Sequence, residues 1–318
     1  MELIQFKKVS FRSIHYFCKM TKKQAWVKAL RLRTLPLSLS GIILGSFIAA
    51  KNGFWDSKIF SLAMLTTILF QIVSNLANDL GDSQKGADNE ERIGPMRAVQ
   101  SGLISISEMK RAVIFTAFLS LCSALPLIYY GTQNMSINIL WFYVLLTGLC
   151  ILAAITYTVG KKAYGYNGFG DVFVFIFFGL VSVLGVYTLY SKSFDWLNIL
   201  PAITIGLLST AVLNLNNMRD RVNDEKVGKR TLVVQIGGNK AKFYHAFLIM
   251  GGIISQAIFI SKQNSFLAYI GLLPCIVLII HLNKVMQTKN PADFDPELKK
   301  VALSTFALAV FTSIFLNL

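Results

Sequence analysis

Nine apolar runs, each close to the length needed to cross a bilayer, constrain the fold of this 318-residue chain more than any other feature. A spanning helix needs about 20 mainly apolar residues. The runs fall near residues 35–50, 58–78, 110–129, 138–158, 171–190, 197–217, 242–261, 265–286 and 300–318. Only 15% of residues are charged, whereas a soluble domain carries about 25%. The pattern predicts an all-α polytopic membrane protein with nine transmembrane helices. Pro126, Pro201 and Pro274 fall inside runs, where neighbouring helices can satisfy the freed carbonyls.

Charge sets the expected orientation. The net charge of +15 does not point to a nucleic-acid binder, because the basic residues are spread between apolar runs instead of forming one patch. Of the 31 Lys and Arg, 27 lie on the N-terminal arm and the even-numbered connections, which puts the N-terminus in the cytoplasm and Leu318 outside. Residues 1–23 read as a basic extension that the protein can spare, and residues 24–318 as a single transmembrane domain. No apolar core with a small-residue cleavage site precedes the extension's end, so it is not a secretory signal. From Gln24 to Arg33 the spacing of Trp26 and Leu30 among basic residues predicts a short interfacial helix. The four cysteines are far apart; Cys122, Cys150 and Cys275 lie in apolar runs and read as buried small hydrophobes. His245 and His281 have no acid or Cys at ligand spacing and read as structural.

The acids are the informative residues. Of sixteen Asp and Glu, eight crowd into two windows, Asp79 to Glu91 and Asp220 to Glu225. Glu90, Glu91 and Glu225 read as loop charges. Asp79 and Asp82 are three apart and Asp220 and Asp224 four apart, so on a helix each pair shares a face. Like charges on one face near hydrocarbon are costly unless paired, hydrated or metal-bound. Mg²⁺ resolves the conflict, since it takes one or two carboxylates together with substrate phosphates. Asn75, Asn78 and Asn217 offer neutral oxygens beside the acids. Lys85, Arg92, Arg97, Arg219 and Arg221 interleave with them and suit phosphate. A third loop brings Tyr157 and Lys161-Lys162 to the same side, although the lysines serve equally as topology determinants. Metal and basic side chains around a leaving diphosphate stabilise the charge that builds as a C–O bond breaks. A site opening among apolar helices implies that the organic half is a lipid.

Asn78-Asp79-x-x-Asp82, Tyr157-x-x-x-Lys161 and Asp220-x-x-x-Asp224 resemble the signature set of the UbiA superfamily of intramembrane aromatic prenyltransferases. Arg33-Thr-Leu-Pro36, Arg92-Ile-Gly-Pro95-x-Arg97, Tyr164-Gly-Tyr166, Gly168-x-Gly170 and Gly228-Lys-Arg-Thr-Leu232 extend the likeness from about Trp26 to the end. The five-residue gap between Asp82 and Asp88 resembles the branch that prenylates 1,4-dihydroxy-2-naphthoate in menaquinone biosynthesis. Arg31-Leu32 departs from the Arg-Pro that relatives commonly carry. The resemblance implies a UbiA-like helical bundle in a bacterial inner membrane, with its active site facing the cytoplasm. It implies a Mg²⁺-dependent transfer from a polyprenyl diphosphate to 1,4-dihydroxy-2-naphthoate, with loss of diphosphate and CO₂. By the same resemblance Asp79, Asp82, Asp88, Asp220 and Asp224 bind Mg²⁺. Lys161 joins Asp79, Asp82, Asp220 and Asp224 in catalysis, while Asn75, Asn78, Lys85, Arg97, Tyr157, Asn217 and Arg219 bind substrate. Asp171, just after Gly168-Phe-Gly, is the residue the resemblance sets near the acceptor. Alternatives are another aromatic acceptor (4-hydroxybenzoate, homogentisate or haem) or a cation-coupled transporter.

Overall fold

The first helix, α1 (Lys22–Leu30), starts at a capping box in which Thr21 and Gln24 exchange side-chain-to-backbone hydrogen bonds. It ends at Arg31, whose φ of 47° is left-handed. A short 3₁₀ turn, Leu32–Thr34, then leads into α2 (Leu35–Lys51), with Pro36 in its first turn where no amide donor is missed. The architecture is that of a computed structural model describing residues 21–89 and 92–318. The basic stretch 1–19, with His15 and Cys18, lies outside the described residues, as do Glu90 and Glu91.

The chain continues through α3 (Ser57–Gln84), α4 (Ile106–Gly131) and α5 (Ile137–Thr156). A fifth span comprises α6 (Gly170–Val174), a π-helical segment (Phe175–Gly185) and α7 (Val186–Ser191). After it come α8 (Ile199–Lys226), the short α9 (Leu232–Ile236), α10 (Gly238–Ser261), α11 (Pro274–Gln287) and α12 (Phe294–Leu316). Among the described residues, nine helical segments are long and apolar enough to cross a membrane. The protein is a multi-pass, all-helical membrane protein. Ile114, Phe115, Phe118, Trp141, Leu145 and Phe247 are each about 60% exposed, as side chains facing lipid are.

Three features differ from the sequence reading. The helices bearing the acids outlast their apolar runs, α3 reaching Gln84 where the run ends near 78, and α8 reaching Lys226 where it ends near 217. Asp79, Asp82, Asp220 and Asp224 are therefore helical residues. The fifth span is not a plain helix, and its π-helical turns coincide with tight packing. A Cβ on Gly179 would lie 2.5 Å from the Ala202 carbonyl oxygen, so this span and α8 approach to backbone distance. Cys122 is exposed, where the reading expected burial; Cys275 is buried and Cys150 half-buried.

The core falls into three clusters. One at the far end joins α2, the fifth span and α8, and a second joins α8, α10, α11 and α12. The third packs Ala25 and Ala29 of α1 against Leu76, Ala77 and Leu80 of α3 and Met109 and Val113 of α4. That last cluster fixes α1 beneath the end of α3 and so brings Arg31 to the acids.

Candidate active site

The ends of α3 and α8 meet. Arg92 lies 3.6 Å from Asp88 and 3.6 Å from Asp220, linking the first acidic group to the second. Lys229, just beyond α8, makes a second link at 3.9 Å from Asp82 and 3.8 Å from Asp224. The Asn223 amide donates to the Ala87 carbonyl at 3.0 Å. Arg97 stands within the first group, 3.8 Å from Asp79 and 3.4 Å from both Asp82 and Asp88. Arg31 reaches Asp79 from α1 at 3.9 Å. Two glycines permit this crowding. A Cβ on Gly94 would come within 2.7 Å of the Arg92 and Arg219 guanidinium groups, and one on Gly81 would strike Thr158 at 2.5 Å.

Charge is nearly balanced here, but hydrogen bonding is not. Asp79 Oδ1, both oxygens of Asp88, Asp224 Oδ2 and Asn78 Oδ1 are buried acceptors with no hydrogen-bond partner. Arg31 Nη2 and Arg97 Nε and Nη1 are buried donors in the same condition. Buried polar groups are normally paired, so orphans of both kinds side by side mark a place built for guests of both signs. Burial, then the neighbouring Asp82 charge, pushes the Asp88 carboxyl up to about 7. Burial lowers Lys229, but Asp82, Asp224 and Asp220 outweigh it and hold the ammonium above the ordinary lysine value. Among the described residues no three His, Cys, Asp or Glu side chains form a closed metal cage. The orphaned oxygens fit a hard cation that takes a few carboxylates and completes its shell with water and phosphate, which is the habit of Mg²⁺.

A cavity of about 340 Å³ opens from this point into the bundle. Its polar end is lined by Asn75, Asn78, Arg92, Arg97, Asp220 and Lys229. Next come aromatic faces: Tyr164 meets Tyr157 edge-on at 5.4 Å and stacks on Phe173 at 4.0 Å. Beyond them Phe70, Leu127, Leu146, Phe177 and Leu189 make an apolar lining. Along α3 the cavity runs from Asn78 to Ala63, roughly 22 Å of helix.

The site expected from sequence and the site observed overlap without coinciding. Asp220 lines the cavity, while Asp79, Asp82, Asp88 and Asp224 stand behind Arg92, Arg97 and Lys229. Asn78 and Tyr157 line it as well. Asn75 lines it but spends its amide on the Leu30 carbonyl at 2.9 Å and Thr34 Oγ1 at 3.2 Å, so it clasps the turn bearing Arg31. Asn217 is buried outside the lining, and Asn216, one residue earlier, faces the cavity and accepts from Arg219 at 2.8 Å. Arg219 grips Asp220 without lining the cavity. Lys85 sits 3.9 Å over the Tyr166 ring. Lys161 is exposed in the loop after α5 and does not reach the lining; its expected place is taken by Lys229. Arg221 pairs with Glu225 at the surface. Asp171 is buried outside the lining, next to Tyr244.

Tyr166, Lys229 and Arg31 were the residues missed. The Tyr166 hydroxyl donates to Asp82 at 2.8 Å, and its carbonyl accepts from the Arg230 amide at 3.0 Å, so this loop ties both acidic helices together. Tyr166 and Lys229 lie in the motifs Tyr164-Gly-Tyr166 and Gly228-Lys-Arg-Thr, and Arg31 precedes Arg33-Thr-Leu-Pro36; only pairing across loops gives these positions meaning.

Comparison with known proteins shows the family and the fold. Residues 38–313 match the UbiA prenyltransferase family. The chain is 42% identical over 302 residues to the 1,4-dihydroxy-2-naphthoate octaprenyltransferase of Escherichia coli K12, covering 93% of this chain and 97% of that one. It is 41% identical over 297 residues to the enzyme of the same name from Haemophilus influenzae, covering 92% and 96%. In fold it is similar to a UbiA homolog from Aeropyrum pernix K1 (TM-score 0.66, 15% identity, 90% of this chain and 97% of that one). It also resembles a UbiA homolog from Archaeoglobus fulgidus bound to GPP and Mg²⁺ (TM-score 0.61, 14% identity, 91% and 99%). Nine apolar spans, acids paired across two helix ends and a match over most of its length place this chain in the UbiA prenyltransferase family.

Proposed function

We propose that this chain transfers a polyprenyl group from a polyprenyl diphosphate to 1,4-dihydroxy-2-naphthoate, releasing diphosphate and CO₂ and giving demethylmenaquinol. The observation that carries the reading is the double link Asp88–Arg92–Asp220 and Asp82–Lys229–Asp224 at the polar mouth of an apolar cavity. The two relatives above 40% identity, both named for this acceptor, support the choice of substrate. The charge bias of the loops supports a bacterial cytoplasmic membrane with the site on the cytoplasmic side. In this reading the transferase domain begins with α1 and its Thr21 cap, and residues 1–19 are dispensable.

Asp79, Asp82, Asp88, Asp220 and Asp224 are the side chains that would hold Mg²⁺, and Asn78 the neutral oxygen beside them. Bound there, Mg²⁺ supplies charge neutralisation on the diphosphate oxygens as the leaving group forms. Arg92, Arg97 and Lys229 line the same end and present cationic donors to that leaving group; two nitrogens of Arg97 have no other hydrogen bond. The apolar lining takes the prenyl chain and excludes water from its reactive carbon. Tyr157, Tyr164 and Phe173 present ring faces between the polar and apolar ends, where attraction to a developing allylic cation is worth about 0.5–2 kcal/mol per ring. The electron-rich ring carbon that bears the carboxylate attacks the allylic carbon as its C–O bond breaks and diphosphate leaves with the electron pair. Loss of CO₂ from that ring carbon returns its bonding electrons to the ring and restores aromaticity. Competing naphthoate, benzoate and homogentisate acceptors offered to the purified protein test the reading by mass spectrometry. Prenylated naphthol is the expected product, and a product built only on a benzoate would overturn the acceptor assignment.

A further inference from the structure

Asp295, in the first turn of α12, belongs to neither acidic group and does not line the cavity, yet it is tied to the second group through Arg219. The Arg219 side chain is buried and uses all three of its nitrogens. Nε donates to Asp220 Oδ1 at 2.9 Å and Nη2 to Asp220 Oδ2 at 2.7 Å, a two-pronged grip. Nη2 also donates to Asn216 at 2.8 Å, and Nη1 donates to Asp295 Oδ1 at 2.5 Å. Asp295 is therefore the counter-charge on the far side of the guanidinium. It also offsets repulsion from Arg92, whose guanidinium sits with that of Arg219 around Gly94.

The turn bearing Asp295 is itself anchored. Glu297, two residues on and buried, takes Lys300 at 2.6 Å and His281 Nδ1 at 2.6 Å. His281 Nε2 meets His245 Nε2 at 2.8 Å, so α12 is pinned to α11 and α10 by a chain of polar contacts. With His281 Nδ1 donating to Glu297, His245 Nε2 is the donor between the rings. That leaves His245 Nδ1 as a lone acceptor, and it has no partner.

We infer that Asp295 is a positioning residue for the diphosphate end of the cavity, holding Arg219 in its grip on Asp220. A guanidinium shared between two carboxylates neutralises each only in part, so Asp220 keeps negative charge to offer a divalent cation. Without Asp295 the full arginine charge falls on Asp220, and the guanidinium is free to turn. The inference rests on the function proposed above.

The test compares wild type with Asp295→Ala, Asp295→Asn and Asp295→Glu in detergent. One readout is thermal stabilisation by geranyl diphosphate titrated with Mg²⁺; the other is steady-state kinetics with the naphthoate acceptor. Asp295→Ala is expected to raise the half-stabilising geranyl diphosphate concentration and its KM by about tenfold, the scale of a lost charge-assisted hydrogen bond. The acceptor KM and the ligand-free melting temperature stay close to wild type, Asp295→Asn falls between, and Asp295→Glu recovers most of the loss. An Asp295→Ala protein that titrates like a responsive wild type overturns the inference and leaves the function standing. So does a uniform loss of stability and of every kinetic parameter that Glu does not rescue. A folded wild type with no Mg²⁺-dependent response to geranyl diphosphate removes the function, and this inference with it.

Discussion

The acidic groups ending α3 and α8 look alike in sequence and differ in how they are held. On α8, Asp220 has both oxygens bound by Arg219, which is in turn braced by Asn216 and Asp295. On and after α3, Asp79 keeps one unpartnered oxygen and Asp88 two, with arginines nearby at ion-pair distance. Asp224 Oδ2 is the one buried carboxylate oxygen left without a partner on the α8 side, against three on the α3 side, so the first is the more pre-organised and the second the more under-satisfied. Buried carboxylates stripped of hydrogen bonds are costly, and a fold keeps them where a ligand completes the set. The comparison suggests a fixed wall and a receptive wall around one diphosphate.

Metal removal should break the arrangement most completely. Chelation with EDTA is expected to stop product formation and added Mg²⁺ to restore it; steady turnover in EDTA would leave the receptive acids unexplained. Next in size, Asp79→Asn and Asp220→Asn should each lower kcat/KM by at least about a hundredfold in protein that still inserts and purifies. Near-normal rates in either would remove that wall from the site. Asp88→Asn should cost less, about tenfold, because burial already favours the protonated carboxyl there. For the link between the walls, Lys229→Ala should raise the KM for prenyl diphosphate by about tenfold, while Lys161→Ala stays within about twofold. The reverse ranking would restore Lys161 to the role its motif suggested. Deleting residues 1–19 should change activity least of all, read in the same assay.

The fold was legible because hydrocarbon imposes a simple length rule, and all nine spans follow it. Helix ends were not, since α3 and α8 continue after their hydrophobicity is spent, held by packing of Leu80 and Met218 and by the ion pairs themselves. The π-helical segment had no sequence mark beyond Gly179, where this span meets the α8 backbone at Ala202 and Gly206. Within the site, the acids stood out by being scarce. Lys229 and Tyr166 did not, since a loop lysine and a loop tyrosine are ordinary until a second helix end comes within reach. His281 shows the same limit: its carboxylate, Glu297, comes from another helix, so no local spacing could reveal it.

The most direct test is to locate the metal. Crystals of the protein with Mn²⁺ and an unreactive prenyl thiodiphosphate would give an anomalous peak. The account predicts that peak between the α3 and α8 carboxylates, with the diphosphate against Arg92, Arg97 and Lys229. A peak held by one helix end alone, or a diphosphate bound away from those three side chains, would contradict it.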